Sequence, residues 1–189
     1  DPAPYAPLGI GFGSLRLYPF VETSVGFDSN ANRSPIIPKG STFNRIDAGL
    51  RAQSNWSAHE FKADVTGGYS KFYNVEGADR PEGAAKFNLR LDATRDTKVD
   101  LELRGTLSTQ RPGSPELNVT VLGRPAIFTY GATGGITRNF GRFETTIAAL
   151  VDRTTYEDGR LSSGNIVPLA VNDYTSYGMR GRIGYEFTP

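Results

Sequence analysis

From Lys98 to Ser108 the chain changes character at every residue. Val99, Leu101, Leu103, Gly105 and Leu107 are apolar or glycine, while Lys98, Asp100, Glu102, Arg104, Thr106 and Ser108 are charged or hydroxylic. Only an extended backbone, whose side chains point alternately to opposite faces, sorts residues with a period of two. The alternation recurs elsewhere. Ile46, Ala48, Leu50, Ala52 and Trp56 lie opposite Arg45, Asp47, Arg51, Gln53 and Asn55; Phe61, Ala63, Val65, Gly67 and Tyr69 oppose Glu60, Lys62, Asp64, Thr66 and Ser70; Ala85, Phe87, Leu89, Leu91 and Ala93 oppose Lys86, Asn88, Arg90, Asp92 and Thr94. With 15–27, 126–139, 142–156 and 174–187, the pattern predicts about eight strands, most of them long enough for the roughly 9–11 residues of a tilted membrane strand. Helical periodicity is weak throughout.

The breaks between these stretches alternate in length. Ser57 to His59, Arg95 to Thr97, and Phe140 with Gly141 are tight; Asp28 to Thr42, Asn74 to Gly83, Thr109 to Arg124 and Glu157 to Asp173 are long and rich in Pro, Gly, Asn and Asp. Short turns at one end and long loops at the other are the wiring of an up-and-down transmembrane barrel, with periplasmic turns and extracellular loops. The expectation is an all-β, antiparallel up-and-down transmembrane β-barrel, with residues 1–14 as a periplasmic lead-in and 15–189 as the barrel domain. Composition is compatible with this. Mean hydropathy is below zero and no apolar run approaches the roughly 18 residues of a transmembrane helix, but a barrel spans a membrane with only every second residue apolar. The absence of Cys among 189 residues removes thiol catalysis and thiolate metal sites, and a net charge of +1 gives no reason to expect nucleic acid. No signal peptide is visible, as in a processed or trimmed chain.

If the apolar face meets lipid, the other face lines the lumen. The predicted pore-lining residues are Arg16, Glu22, Arg45, Asp47, Arg51, Lys62, Asp64, Lys86, Arg90, Asp92, Asp100, Glu102, Arg104, Arg142, Glu144, Arg180 and Arg182; with Lys98, Asp152 and Glu186, which the alternation puts on the same inward face, the two signs nearly balance. Balance argues against strong ion selectivity, which is built from rings of one sign; Arg180 and Arg182, with Arg142, form the nearest approach to a basic track. Aromatic rings on the lipid face should collect at the two interfaces. Phe61 and Tyr69 share a face, as do Tyr177 and Tyr185, each pair separated by roughly 26 Å along the strand at about 3.3 Å per residue. After a tilt near 40° that is about 20 Å, close to an apolar band of about 25 Å. An upper girdle of Tyr69, Phe87, Phe128, Tyr130 and Tyr177 and a lower one of Trp56, Phe61, Phe143, Tyr185 and Phe187 follow.

The opening, Asp1 to Arg33, combines an Asp-Pro-Ala-Pro lead and a later Pro-Leu-Gly, a Gly-Ser step into a strand containing Pro19, and a Phe27-Asp28-Ser29-Asn30 exit. It resembles the opening segment of the outer-membrane β-barrel porin family of Gram-negative bacteria (β-barrel porin type 2-like), and the strand-turn rhythm extends the resemblance loosely to the C-terminus. The resemblance implies a larger single-chain barrel, often beyond a dozen strands, with some members in loci for exopolysaccharide export. It also implies an aromatic C-terminal residue, whereas this chain stops after Phe187 at Thr188 and Pro189. The chain is therefore expected to be the N-terminal half of a larger barrel, whose partners are outer-membrane lipid, lipopolysaccharide and hydrophilic solutes.

Catalytic and metal signals are poor, and no cofactor is expected. His59, the only histidine, falls in a tight turn and forms no zinc pattern with Glu60. Asp28, Asn30 and Asn32 mimic the start of a calcium loop, but Arg33 stands where glycine is required and Lys39 where the closing Glu belongs. Gly9, Gly11 and Gly13 precede a strand rather than joining a strand to a helix. Three functions remain: a passive channel or export conduit; a small structural or surface-interaction barrel with a plugged lumen; and a soluble lipocalin-like carrier, whose apolar face would point inward.

Overall fold

A computed structural model describes residues 7–34, 36–110, 121–122, 124–161 and 163–187. Eight long antiparallel strands dominate: β2 (Leu15–Asp28), β3 (Ser41–Ser54), β4 (Glu60–Phe72), β5 (Arg80–Asp92), β6 (Thr97–Thr109), β8 (Ala126–Phe140), β9 (Phe143–Tyr156) and β12 (Tyr174–Tyr185). A short β1 (Ile10–Phe12) pairs back onto the start of β2, so the segment expected as a lead-in contributes a ninth strand. The sheet order is β1-β2-β3-β4-β5-β6-β8-β9-β12, each strand beside its sequence neighbour in the sheet, and the edges are not joined. This is an all-β, up-and-down meander with the wiring of a partial barrel. A separate three-stranded sheet, β7 (Val121–Leu122), β10 (Gly159–Leu161) and β11 (Ile166–Val167), forms between the two longest loops.

Local chemistry explains the turns. Gly13 and Gly141 have φ of 58° and 65°, the left-handed region in which a tight hairpin needs glycine; Gly141 and Arg142 alone join β8 to β9, with Phe140 opposite Phe143. Pro19 lies on the part of β2 beyond its pairing with β1, where β2 is the edge of the sheet and proline is tolerated.

Facing residues of an antiparallel pair share a face, so the register divides the sheet. On one face of the eight long strands the only charged residues are Lys71, Arg138 and Arg153, all within four residues of a strand end. All other Asp, Glu, Lys and Arg of these strands lie on the opposite face, in equal numbers of acid and base. Among the described residues nothing covers the middle of the apolar face: Ile46 is 55% exposed, Ile147 59% and Met179 82%. Among the described residues buried apolar side chains are few, and one cluster of them, Ala31, Phe72 and Ala78 with Phe43 and Val75, joins the β2–β3 and β4–β5 loops to the ends of β3 and β4.

Candidate functional site

The charged face is cross-linked by ion pairs that run along and across strands. Arg45 forks onto Asp47 two residues on, at 2.6 and 2.7 Å, and reaches Glu82 on β5 at 2.9 Å, spanning β4. Arg51 meets Asp64 at 2.7 Å; Glu60 takes both Lys62 and, at 2.8 Å, Arg90; Lys86 meets Glu102 at 2.9 Å. Arg104 is the most heavily engaged. It forks onto Asp152 at 2.9 and 2.6 Å across β8 and donates to Glu102 at 3.1 Å and Thr133 at 2.7 Å.

Glycine makes room for the two forks. A Cβ on Gly131, which lies between Arg104 and Asp152, would collide with Asp152 Oδ1 and the Val151 carbonyl; one on Gly68 would collide with Asp47 beneath the Arg45 pair. The wall is thus shaped by small residues under bidentate pairs, the strongest kind of ion pair.

Of the residues predicted to line a pore, all but one share this face. Arg142 falls in the turn between β8 and β9, because strand pairing ends at Phe143. Arg180 and Arg182 lie on the charged face of the edge strand β12 and make no ion pair with any described residue. Lys98 and Asp152 share it as the alternation predicts, Glu186 falls just beyond the end of β12, and Glu60, Arg80 and Glu82 join the same face.

Aromatic placement differs in one respect from the expected girdles. Tyr69, Phe128, Tyr130 and Tyr177 lie on the apolar face toward the loop ends, and Phe61, Phe143 and Tyr185 toward the turn ends. Tyr185 is 4.9 Å from both Phe143 and Phe187, and Trp56, in the β3–β4 turn, is 6.4 Å from Phe61. Phe87 is not at the loop end: it pairs with Ala63 and Leu103 in mid-strand, since β5 begins at Arg80 rather than near Ala85. Phe27 and Phe140 add rings at the two ends of that face.

At one end the β2–β3 and β4–β5 loops pack against Phe43 and Phe72 on the charged face, while Asp79 reaches Tyr69 and Lys71 on the apolar one. Asp28 binds Arg33 through 2.7 and 3.2 Å contacts and accepts from the Asn30 amide at 3.0 Å, so a guanidinium satisfies the carboxylate that the calcium-loop pattern began with. Arg124, in the β6–β8 loop, donates to the Ala31 carbonyl in the β2–β3 loop at 3.0 Å; burial, with the neighbouring Arg80 and Arg33 charges, pushes its guanidinium down to about 10. In the β4–β5 loop, burial would raise the Asp79 carboxyl, but hydrogen bonds from Lys71, the Phe72 amide and Tyr69 at 2.6, 2.9 and 2.9 Å outweigh it and hold the group below the usual carboxylate range. His59 accepts from the Asp92 amide at 3.2 Å, a turn role. Among the described residues no group of His, Cys, Asp or Glu could hold a metal ion, and no helix is long and apolar enough to cross a membrane.

A long up-and-down meander with one uncovered apolar face and one ion-paired face is the wall of a membrane β-barrel. The family model for Putative beta-barrel porin 2 matches residues 2–189, and the chain belongs to that family. Neither the curated proteins nor the solved structures contain a match to it.

Proposed function

We propose that this chain forms wall strands of an outer-membrane channel, the apolar face against lipid and lipopolysaccharide acyl chains and the charged face against water, through which hydrophilic solutes or polysaccharide pass. The observation that carries this reading is the segregation of charge. A bare apolar sheet face with charges only near its rims suits a hydrocarbon band flanked by headgroups, and a soluble carrier would have to cover it. The opposite face holds its charges at partly exposed, paired positions, which cost little when water reaches them and much in a dry, incompletely paired interior. The unjoined edges, β1 with β2 on one side and β12 on the other, support closure by further strands into a wider, hydrated lumen.

A second reading has its own support. The Ala31–Phe72–Ala78 cluster and the Arg124 bridge draw three loops together on the charged face, as a plugged structural or surface-interaction barrel would. Conductance of the full-length protein in a planar bilayer separates the two. Stepwise, salt-dependent current is the expected result; a correctly folded barrel that stays electrically silent would eliminate the conduit.

A further inference from the structure

At the loop end of the charged face the charges do not balance locally. Arg33, Arg80 and Arg124 cluster about one carboxylate, Asp28, whose two oxygens are taken up by the Arg33 fork and the Asn30 amide. Arg80 Nη2 stands 3.6 Å from Asp28, beyond hydrogen-bond distance. The Arg80 side chain is only 24% exposed, its guanidinium stacks 4.9 Å over Phe72, and both Nε and Nη2 are buried with no hydrogen-bond partner among the described residues. Arg124 donates one Nη2 bond to a backbone carbonyl, which neutralises nothing. Counting the adjoining Arg45, Asp47 and Glu82 group, four guanidinium ions still face three carboxylates, and Glu82 is already held by Arg45. Buried guanidinium donors without acceptors are costly, and a fork of N–H groups matches the two oxygens of a carboxylate or phosphate.

From this geometry we infer that Arg80 and Arg124, with Arg33, form an oxyanion-binding site at the mouth of the charged face, which takes a phosphate or carboxylate group carried by a solute. The inference builds on the channel reading for its purpose, since it sits where solute would meet the wall, but binding can be measured without conduction. The site differs from the rest of the wall in gathering three guanidinium groups about one carboxylate that is already occupied; the Arg104 and Arg45 forks are matched by carboxylates, and Arg90, whose Nε also lacks a partner among the described residues, stands singly on Glu60.

Inorganic phosphate is the probe, titrated into the full-length protein folded in detergent free of lipopolysaccharide and followed by phosphorus-31 line broadening. Saturable broadening, competed by sulfate, is expected. Arg80→Gln and Arg124→Gln should each weaken it by about tenfold, as loss of one charge-assisted contact implies, while Arg138→Gln, on the opposite face, leaves it unchanged. Asp28→Asn, which removes the competing carboxylate, should tighten it. Phosphate affinity that is unaltered in both Arg80→Gln and Arg124→Gln, with native strand content by circular dichroism, would overturn the site and leave the channel reading standing. Saturable binding by a protein that passes no current would do the reverse. If phosphate fails to bind but purified lipopolysaccharide broadens, a lipid headgroup and not a solute is the ligand, which also overturns the inference as stated.

Discussion

Gly131 shows how a single hydrogen in place of a methyl group shapes the wall. Because the Arg104–Asp152 fork crosses directly over it, Gly131→Val must displace either the fork or β9. A cost of about 1–3 kcal/mol is expected, measured as a lower urea midpoint after refolding into lipid vesicles, whereas Gly181→Val, where a Cβ meets nothing within 4 Å, should be close to neutral. Asp79 gives a pH-dependent counterpart in a loop. Its carboxyl is held below the ordinary value of about 3.9, so the stabilisation from its three hydrogen bonds is complete above that value and lost as pH falls through the lower folded one. The Phe72 amide resonance, which reports the bond to Asp79, should titrate with a midpoint below about 3.9, and Asp79→Asn should abolish that titration.

At the scale of strands, face assignment controls tolerance. Leu103→Arg or Phe87→Arg places a cation at mid-height on the apolar face and should destabilise by about 2–4 kcal/mol in vesicles, with Leu101→Arg and Leu89→Arg, nearer the turn rim, costing less, while Arg104→Gln or Arg90→Gln should act mainly on the electrostatics of the other face; equal tolerance at the two sets would mean the faces are reversed. The eight long strands and their faces were legible because a period of two survives any loop chemistry. Strand ends were less so. Arg80, Pro81, Glu82 and Gly83 read as loop because Pro and Gly punctuate strands, yet they pair with Gly67 to Ser70, and this displaced Phe87 from the rim to mid-height. The β1 strand and the β7–β10–β11 sheet are two- or three-residue pairings too short to show periodicity. Arg142 was misplaced by one residue of turn length. The Arg33, Arg80 and Arg124 cluster had no local signal at all, since three separate chain segments supply it and only folded loops bring them together.

For the whole molecule, charges segregate by face, and the charged face is neutral in sum while the Arg33, Arg80 and Arg124 group at its loop end carries a local excess of base. A neutral wall suits passage of varied hydrophilic solutes without strong ion selectivity, and the arginine cluster is where the inferred oxyanion site would hold an acidic group. Both depend on which face meets lipid. The most direct measurement places single tryptophans at positions 101, 102, 103 and 104 in a Trp56→Phe background and compares quenching by brominated lipid acyl chains with quenching by aqueous acrylamide. The account predicts strong lipid quenching at 101 and 103 and strong acrylamide quenching at 102 and 104. Lipid quenching at 102 and 104 instead would contradict it.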